Sequence, residues 1–129
     1  MKKIAIILAR KGSKRIKDKN IKNFCGKPVI YWTIKKILSS KIFDEIVVST
    51  DSKKIAHLSK KFGATIPIIR SKKNSDDKAS TADALYEVIT KMKKNGINFK
   101  YVCCFYATAP FLDMKNVSIG FKSLVKKKI

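Results

Sequence analysis

The stretch Lys3–Asn20, which reads KIAIILARKGSKRIKDKN, decides the fold of this chain. It begins with the unbroken apolar run Ile4–Leu8, which is typical of a strand buried on both faces of a parallel sheet. The loop Ala9–Asn20 follows at once and places one glycine and one serine among six cationic side chains. A buried strand that leads into a basic, glycine-containing loop indicates a site for phosphate groups.

Further apolar runs alternate with amphipathic stretches along the rest of the chain. The runs are short and continuous, as buried strands require, and the stretches between them repeat apolar residues with helical spacing. Pro67 favours an edge position for the run that contains it. The predicted strands are Ile4–Leu8, Glu45–Ser49, Ile66–Ile69 and Tyr101–Tyr106, and the predicted helices are Pro28–Leu38, Ser52–Phe62, Thr81–Lys94 and Met114–Lys128.

This alternation predicts an α/β fold of the Rossmann-like kind, a three-layer sandwich in which helices cover a mostly parallel sheet. Right-handed connections place the C-terminal ends of parallel strands at one edge of the sheet. Ligands of such sheets bind outside that edge. We therefore expect the site among the loops that follow the strands, and we expect residues 1–129 to belong to a single domain.

The composition restricts the class of protein. With 129 residues, of which 45% are hydrophobic and 30% charged, the chain can bury a core. Its three cysteines and one histidine show no zinc-site spacing, and so few thiols fit a reducing cytoplasm. The N-terminal apolar run is too short for a signal peptide, and no stretch approaches the length of a membrane span. We expect a cytoplasmic protein without membrane contact.

The net charge of +21 suggests nucleic acid as an alternative partner. Only Arg10, Arg15 and Arg70 are arginines, however, and the lysines are spread along the whole chain. Nucleic-acid readers usually depend on arginine, which forms paired hydrogen bonds to phosphates and base edges. We therefore expect a nucleotide site. A basic α/β domain that binds nucleic acid without catalysis is the alternative hypothesis.

The basic loop matches neither of the two common phosphate-binding motifs, the P-loop and the Rossmann glycine pattern. Backbone N–H groups near Gly12 and Ser13 can nonetheless surround a triphosphate while Arg10 and Lys19 neutralise its oxygens. A solvated basic loop in a lysine-rich protein explains the same residues. On this chemistry alone both readings stay open.

Longer segments carry a family resemblance. ILARKGSKRIKDKNI, FCGKPVIYWTI and IFDEIVVSTD, which begin at Ile7, Phe24 and Ile42, resemble the start of the CMP-sialic acid synthetase family, the acylneuraminate cytidylyltransferases. The tracts IPIIRSKKNSDDKAST, from Ile66, and YATAPFL, from Tyr106, are most similar to the pseudaminic acid cytidylyltransferase branch. The resemblance covers nearly the whole chain.

The resemblance implies an activity and a set of site residues. The family joins a nonulosonic acid to CMP from CTP and releases pyrophosphate with Mg²⁺, on a fold of the nucleotide-diphospho-sugar transferase type. It implies that Arg10 and Lys19 act in catalysis by stabilising charge on the triphosphate. It further implies that Ala9, Arg10, Gly12, Ser13, Lys19, Asn20, Arg70, Ser80 and Thr81 bind the nucleotide, and that Tyr106, Thr108 and Ala109 bind the sugar.

Departures from the family pattern refine these expectations. Lys11 replaces a loop glycine, and Tyr106 stands where sialic acid enzymes usually carry glutamine, which favours pseudaminic acid over plain sialic acid. Full-length relatives are longer, and their later half supplies the Asp-x-Asp pair that binds the metal and most of the homodimer contacts. We therefore expect a truncated, N-terminal part that has no metal ligands of its own and little turnover alone.

A few remaining polar residues have a structural and a functional explanation. Asp51 can face the cleft, but it precedes a predicted helix, so we expect it to cap that helix. Asp76 and Asp77 can bind a metal, but without a third ligand we expect a polar loop. Cys103 and Cys104 are expected to pack a buried strand, because no histidine is placed to activate them.

Overall fold

A parallel sheet lies at the centre of the computed structural model, which describes residues 2–12 and 15–127. Helices cover the sheet, and a two-stranded antiparallel ribbon lies beside it. The elements in chain order are β1 (Lys3–Leu8), β2 (Asn23–Phe24), β3 (Lys27–Pro28), α1 (Val29–Ser40), β4 (Glu45–Ser49), α2 (Lys53–Lys61), α3 (Thr81–Lys94), β5 (Tyr101–Tyr106) and α4 (Met114–Lys127), with a 3₁₀ turn at Lys19–Ile21.

β1 is the central strand, with β4 on one side and β5 on the other, and all three are parallel. Ile4, for example, lies opposite Glu45 of β4 and Val102 of β5. A strand with two strand neighbours and two covered faces needs apolar residues throughout, which explains the unbroken run in β1. The chain leaves β1 towards β4 on one side and later returns to β5 on the other, so a crevice opens at the C-terminal end of β1.

The side chains of β1 alternate between the two faces of the sheet. Ala5 and Ile7 belong to a core cluster that includes residues of α1, α2 and α4. Ile4 and Ile6 belong to a second cluster, with residues of α3. All four side chains are fully buried. Helices therefore cover both faces, and the predicted three-layer α/β sandwich with a parallel sheet is confirmed.

The third predicted strand, Ile66–Ile69, is wrong as a continuous strand. In the described part of the chain this segment meets β4 through isolated parallel bridges at Thr65 and Ile69. The backbone bends at Pro67, whose nitrogen has no hydrogen to donate to a neighbouring strand. The segment does lie along the outer edge of β4, which is the edge position that the proline indicates.

The ribbon of β2 and β3 has no counterpart among the predicted elements. Its turn places Cys25 at φ 50° and Gly26 at φ 84°, and this left-handed pair suits a two-residue hairpin. Trp32 of α1 donates its indole N–H to the carbonyl of Phe24 at 2.6 Å. Pro28, expected in the first turn of a helix, instead directly precedes α1. Strands of two residues are too short to show an alternating pattern.

The four predicted helices are present, with ends that differ by a few residues from the predicted ones. α3 spans the predicted residues, and its first turn is closed by a capping box. α4 ends at Lys127, and the predicted last residue, Lys128, lies outside the described residues. Within residues 2–12 and 15–127, no helix has the length and apolar content that crossing a bilayer requires.

Candidate functional site

A cavity of about 330 Å³ opens at the C-terminal end of β1, bordered by the loop after β1, by the loop before α3 with the start of that helix, and by the end of β5 with the loop that follows it. Its position is the crevice that the strand order predicts. Cations from the first two of these regions face hydroxyl groups of α3 and β5. The predicted site residues that line the cavity are Arg10, Lys19, Asn20, Arg70, Ser80, Thr81, Tyr106, Thr108 and Ala109.

Arg10 follows β1 closely, and its side chain forms an ion pair across the cavity wall. Its Nη1 atom donates a hydrogen bond to Oδ1 of Asp77 at 2.8 Å. The two side chains are 34% and 42% exposed, so water screens their attraction. Asp76, in the same loop, accepts the backbone N–H groups of Lys78 and Ala79, as a turn residue does. An anion of the chain therefore contacts the guanidinium predicted to bind phosphate.

The backbone on either side of Arg10 is fixed by hydrogen bonds. The N–H of Ala9 donates to the carbonyl of Ser49 at 2.9 Å, which extends the pairing of β1 with β4. The side-chain amide of Asn20 donates to the carbonyl of Arg10 at 2.9 Å, and Asn20 is only 7% exposed. Asn20 thus positions Arg10, which is a role that the sequence did not predict for it.

Asp51 accepts the backbone N–H of Lys11 through Oδ1 at 2.7 Å. The expectation that Asp51 caps α2 is wrong, because Ser52 is the N-cap and accepts the N–H of Ile55 at 3.2 Å. Ser52, one position later, takes the capping role in place of Asp51, because its short hydroxyl side chain reaches the first turn of the helix. The carboxylate of Asp51 is therefore directed to the basic loop.

Arg70 lines the cavity but is 6% exposed, and most of its guanidinium is engaged within the protein. Its Nε donates to Oγ of Ser49 at 2.9 Å, and its Nη2 donates to the carbonyl of Ser49 at 2.6 Å. Burial lowers the pKa of Arg70, while the carboxylates of Asp51 and Glu87 act in the opposite direction. Arg70 thus binds the last residue of β4 and places a buried positive charge at the cavity wall.

Hydroxyl groups of α3 and β5 meet on the opposite wall. The hydroxyl oxygens of Thr81 and Tyr106 lie 3.1 Å apart, and Tyr106 is 60% exposed. Ser80 caps α3 by accepting the N–H of Asp83 at 3.0 Å, and its own N–H donates back to the Asp83 carboxylate. These hydrogen bonds from Ser80 hold the pKa of Asp83 below its ordinary value.

Thr108 and Ala109 follow β5 and complete the wall. The loop that carries them is supported from below, because the buried hydroxyl of Thr33 in α1 donates to the carbonyl of Ala107 at 2.7 Å. A buried hydrogen bond of this kind costs free energy when one partner is removed. The predicted sugar side of the cleft is thereby fixed to α1.

Two predicted site residues that the structure describes, Ala9 and Gly12, do not line the cavity. Ala9 is fully buried in the strand pairing. Gly12 is exposed beside the loop arginine, where an added Cβ would lie 3.7 Å from Nη1 of Arg10. Ser13 lies outside the described residues. The sequence analysis did not predict that Asp77 pairs with Arg10. The available signal was that acidic side chains and cations occur in loops at the same edge of the sheet.

No described residues form a metal centre. Within residues 2–12 and 15–127, no three His, Cys, Asp or Glu side chains are grouped so that they could hold an ion. The described residues therefore supply no such group for the Mg²⁺ that the family resemblance implies. The chemistry of the described site has to be argued from its cations and hydroxyl groups.

Cys103 and Cys104 of β5 are free thiols. Burial raises the pKa of both, and for Cys103 the neighbouring Cys104 adds to the increase. A raised pKa keeps a thiol protonated and weakly nucleophilic at neutral pH. Cys103 packs against the core cluster on the α1 face. Both observations agree with the predicted packing role.

Comparison with known proteins assigns the family. The profile of the family described as cytidylyltransferase matches residues 4–128. The chain belongs to this family. A pseudaminic acid cytidylyltransferase of Campylobacter jejuni is 41% identical over 99% of the chain and 55% of the relative. The CMP-N,N'-diacetyllegionaminic acid synthase of Legionella pneumophila is 38% identical over 86% of the chain and 48% of the relative.

Solved structures agree on the fold. A CMP:2-keto-3-deoxy-manno-octonic acid synthetase complexed with CTP superposes with a TM-score of 0.79 at 23% identity, over 98% of the chain and 48% of that protein. A cytidylyltransferase from Leptospira borgpetersenii gives a TM-score of 0.73 at 21% identity, over 98% and 50%. The predicted family resemblance is confirmed, and the chain spans about half the length of the curated relatives it matches.

Proposed function

We propose that this chain is the N-terminal, nucleotide-binding part of a cytidylyltransferase domain that activates a nonulosonic acid with CTP. The products are the CMP-sugar and pyrophosphate. One observation carries the proposal: the cationic side chains of Arg10 and Lys19 line the same cavity as the hydroxyl groups of Thr81 and Tyr106. A cavity with cations on one wall and uncharged donors on the other suits a triphosphate joined to a nucleoside.

In the proposed reaction, the anomeric hydroxyl of the sugar attacks the α-phosphorus in line. A new P–O bond forms, the bond to pyrophosphate breaks, and the hydroxyl proton is released. Phosphoryl and nucleotidyl transfer depend mainly on positioning and on stabilising the charge of the phosphates. Arg10 and Lys19 provide positive charge for that purpose, and Asn20 keeps the backbone of Arg10 in place.

The nucleotide is proposed to extend from the basic loop towards α3. Ser80, Thr81 and Arg70 would border the cytidine, although Arg70 acts from a buried position behind Ser49. Ala9, Gly12 and Ser13 remain predicted contributors of backbone groups.

Tyr106, Thr108 and Ala109 are proposed to contact the sugar. The exposed Tyr106 ring and the relatives named for pseudaminic acid support pseudaminic acid as the substrate, with sialic acid as the related choice. We further propose a cytoplasmic homodimer that uses Mg²⁺ bound by residues outside those described. Each of these proposals concerns the whole enzyme rather than the cavity alone.

Thermal unfolding with added nucleotides tests the proposal. CTP should raise the midpoint temperature more than ATP or GTP at equal concentration, because a ligand that binds only the folded state stabilises it by mass action. Equal stabilisation by the three triphosphates would indicate general binding of polyanions and would contradict a cytidine-specific site.

The net charge of +21 supports one alternative, a basic domain that binds nucleic acid without catalysis. This alternative requires RNA or DNA affinity that falls steeply with salt, because phosphate contacts release counterions. A competition experiment separates the two functions. RNA binding that CTP does not displace would favour the alternative, whereas displacement by CTP at low concentration would favour the cytidylyltransferase.

A further inference from the structure

Asp51 lies at the C-terminal end of β4 and is half-buried, yet it belongs to no predicted site. Its carboxylate is not used to start α2, because Ser52 caps that helix. Instead, Oδ1 accepts the backbone N–H of Lys11 at 2.7 Å, across forty residues of sequence. A hydrogen bond to a charged acceptor is about twice as strong as a neutral one.

This contact is one of a set that surrounds Arg10. The residue before Arg10 is paired with β4, and the carbonyl of Arg10 accepts the amide of Asn20. The residue after Arg10, Lys11, is the one that Asp51 binds. Hydrogen bonds thus hold the backbone at Ala9, Arg10 and Lys11, which restrains the direction in which the side chain of Arg10 leaves the chain. Of the three contacts, that of Asp51 is the one made by an ionised side chain.

The carboxylate of Asp51 also acts on Arg70, a cation that lines the cavity. It opposes the effect of burial on the pKa of Arg70 more strongly than Glu87 does, and Arg10 acts on Arg70 with the opposite sign. Two arginines that share one cleft repel each other, and a carboxylate between the basic loop and Arg70 reduces that repulsion. Asp51 therefore has both a backbone partner and a charged neighbour at the proposed phosphate site.

We propose that Asp51 is a positioning residue of the nucleotide site, which holds the basic loop through the Lys11 amide so that Arg10 meets the triphosphate. The inference rests on the proposed CTP site and adds a residue to it. Asp51 does not contact the nucleotide itself; it acts through Lys11 and Arg10.

Three variants separate this positioning role from an effect of the Asp51 charge and from a general effect on the stability of the fold. Asp51→Asn loses the charge but keeps an oxygen that can accept the Lys11 N–H, whereas Asp51→Ala loses both. Ser52→Ala removes the cap of α2 and lowers the stability of the fold without touching the Lys11 bond. CTP affinity of each folded variant is measured by calorimetry, and the exchange of the Lys11 amide hydrogen is followed by NMR.

We expect Asp51→Ala to bind CTP about tenfold more weakly than Asp51→Asn, since the two differ in the hydrogen bond and not in charge. Lys11 should exchange rapidly in Asp51→Ala, and slowly in Asp51→Asn and in the unchanged chain. Ser52→Ala should be less stable but bind CTP normally. Normal CTP binding by Ser52→Ala separates the role of Asp51 from a general loss of stability, and rescue by asparagine shows that the hydrogen bond to Lys11 is what binding requires.

Equal CTP affinity of Asp51→Ala and Asp51→Asn would overturn the inference, as would equal Lys11 exchange in all variants. If the unchanged chain bound no CTP, the proposed function would fail, and with it the role in binding. Lys11 exchange would in that case still decide whether Asp51 holds the loop.

Discussion

At the scale of single residues, the main finding is that Arg10 already has an anionic partner. Oδ1 of Asp77 lies 2.8 Å from Nη1 of Arg10 and accepts one of the guanidinium N–H groups proposed to bind phosphate. A guanidinium cannot give the same N–H group fully to two acceptors. A phosphate oxygen that takes this N–H group therefore has to displace Asp77 from Arg10.

Replacing Asp77 with asparagine should tighten CTP binding. A partly exposed ion pair is worth about 0.2–1 kcal/mol, which corresponds to an affinity gain of at most about fivefold. Calorimetric titration with CTP measures the gain. Asp44→Asn is the matched control, because Asp44 accepts the N–H of Lys3 at the opposite end of β1 and carries the same charge. Weaker binding by Asp77→Asn, or an equal gain in both variants, would contradict the displacement of Asp77 by phosphate.

The sequence predicted most of the cavity but not how its residues act. Arg10, Lys19 and Thr81 line the cavity, as expected of residues in the loops that follow predicted strands. The family pattern assigned Asn20 to the nucleotide, whereas its amide is bound to the Arg10 carbonyl. Such assignments depend on distances between loops that are far apart in sequence. Side-chain chemistry alone therefore could not separate a ligand from a positioning residue.

At the scale of elements, the loop between the β4 edge segment and α3 forms one side of the cavity, and Glu87 of α3 holds it. The carboxylate of Glu87 accepts the N–H of Ser71 at 2.8 Å and the hydroxyl of Ser71 at 2.6 Å, and it also accepts the side-chain amide of Asn74. Burial raises the pKa of Glu87, but these hydrogen bonds outweigh burial and bring the pKa below its ordinary value.

Glu87→Gln should therefore destabilise the fold at neutral pH by about 1 kcal/mol, because an amide cannot accept all these hydrogen bonds. A carboxylate whose pKa is lower in the folded state stabilises above its ordinary pKa of 4.5, and this contribution is lost as pH falls through the folded value. Urea unfolding at a series of pH values should show the difference between the two proteins shrinking in acid. A difference that stayed constant below pH 4.5 would disprove the role of the ionised carboxylate. Tyr86→Phe, on the exposed face of α3, is the control that should change nothing.

Elements with strong periodic signals were predicted correctly, and short ones were not. β1, β4, β5 and the four helices carry long apolar runs or helical repeats, so their type was readable. The segment around Pro67 has the apolar residues of a strand but lacks a backbone donor, and it forms bridges instead. The β2–β3 ribbon depends on a turn with two left-handed residues and on Trp32, which no local pattern reveals.

At the scale of the whole molecule, the net charge of +21 opposes the compact state. Like charges repel across the surface, and this repulsion weakens as salt shortens the distance over which it acts. The thermal midpoint of the chain should therefore rise between about 20 mM and about 300 mM NaCl, as the screening length falls from about 20 Å to about 6 Å. Differential scanning calorimetry measures the change. A midpoint that stays constant or falls would show that repulsion is not a significant term.

The central claim is that the cations after β1 bind the phosphates of a cytidine nucleotide, and calorimetric titration of CTP into single variants tests it most directly. Arg10→Ala and Lys19→Ala should each weaken binding by at least about tenfold, because each removes a charge-assisted hydrogen bond. Lys17→Ala removes the same charge from an exposed position of the same loop and should have a much smaller effect. Unchanged affinity in Arg10→Ala and Lys19→Ala, or losses no greater than that of Lys17→Ala, would contradict the account.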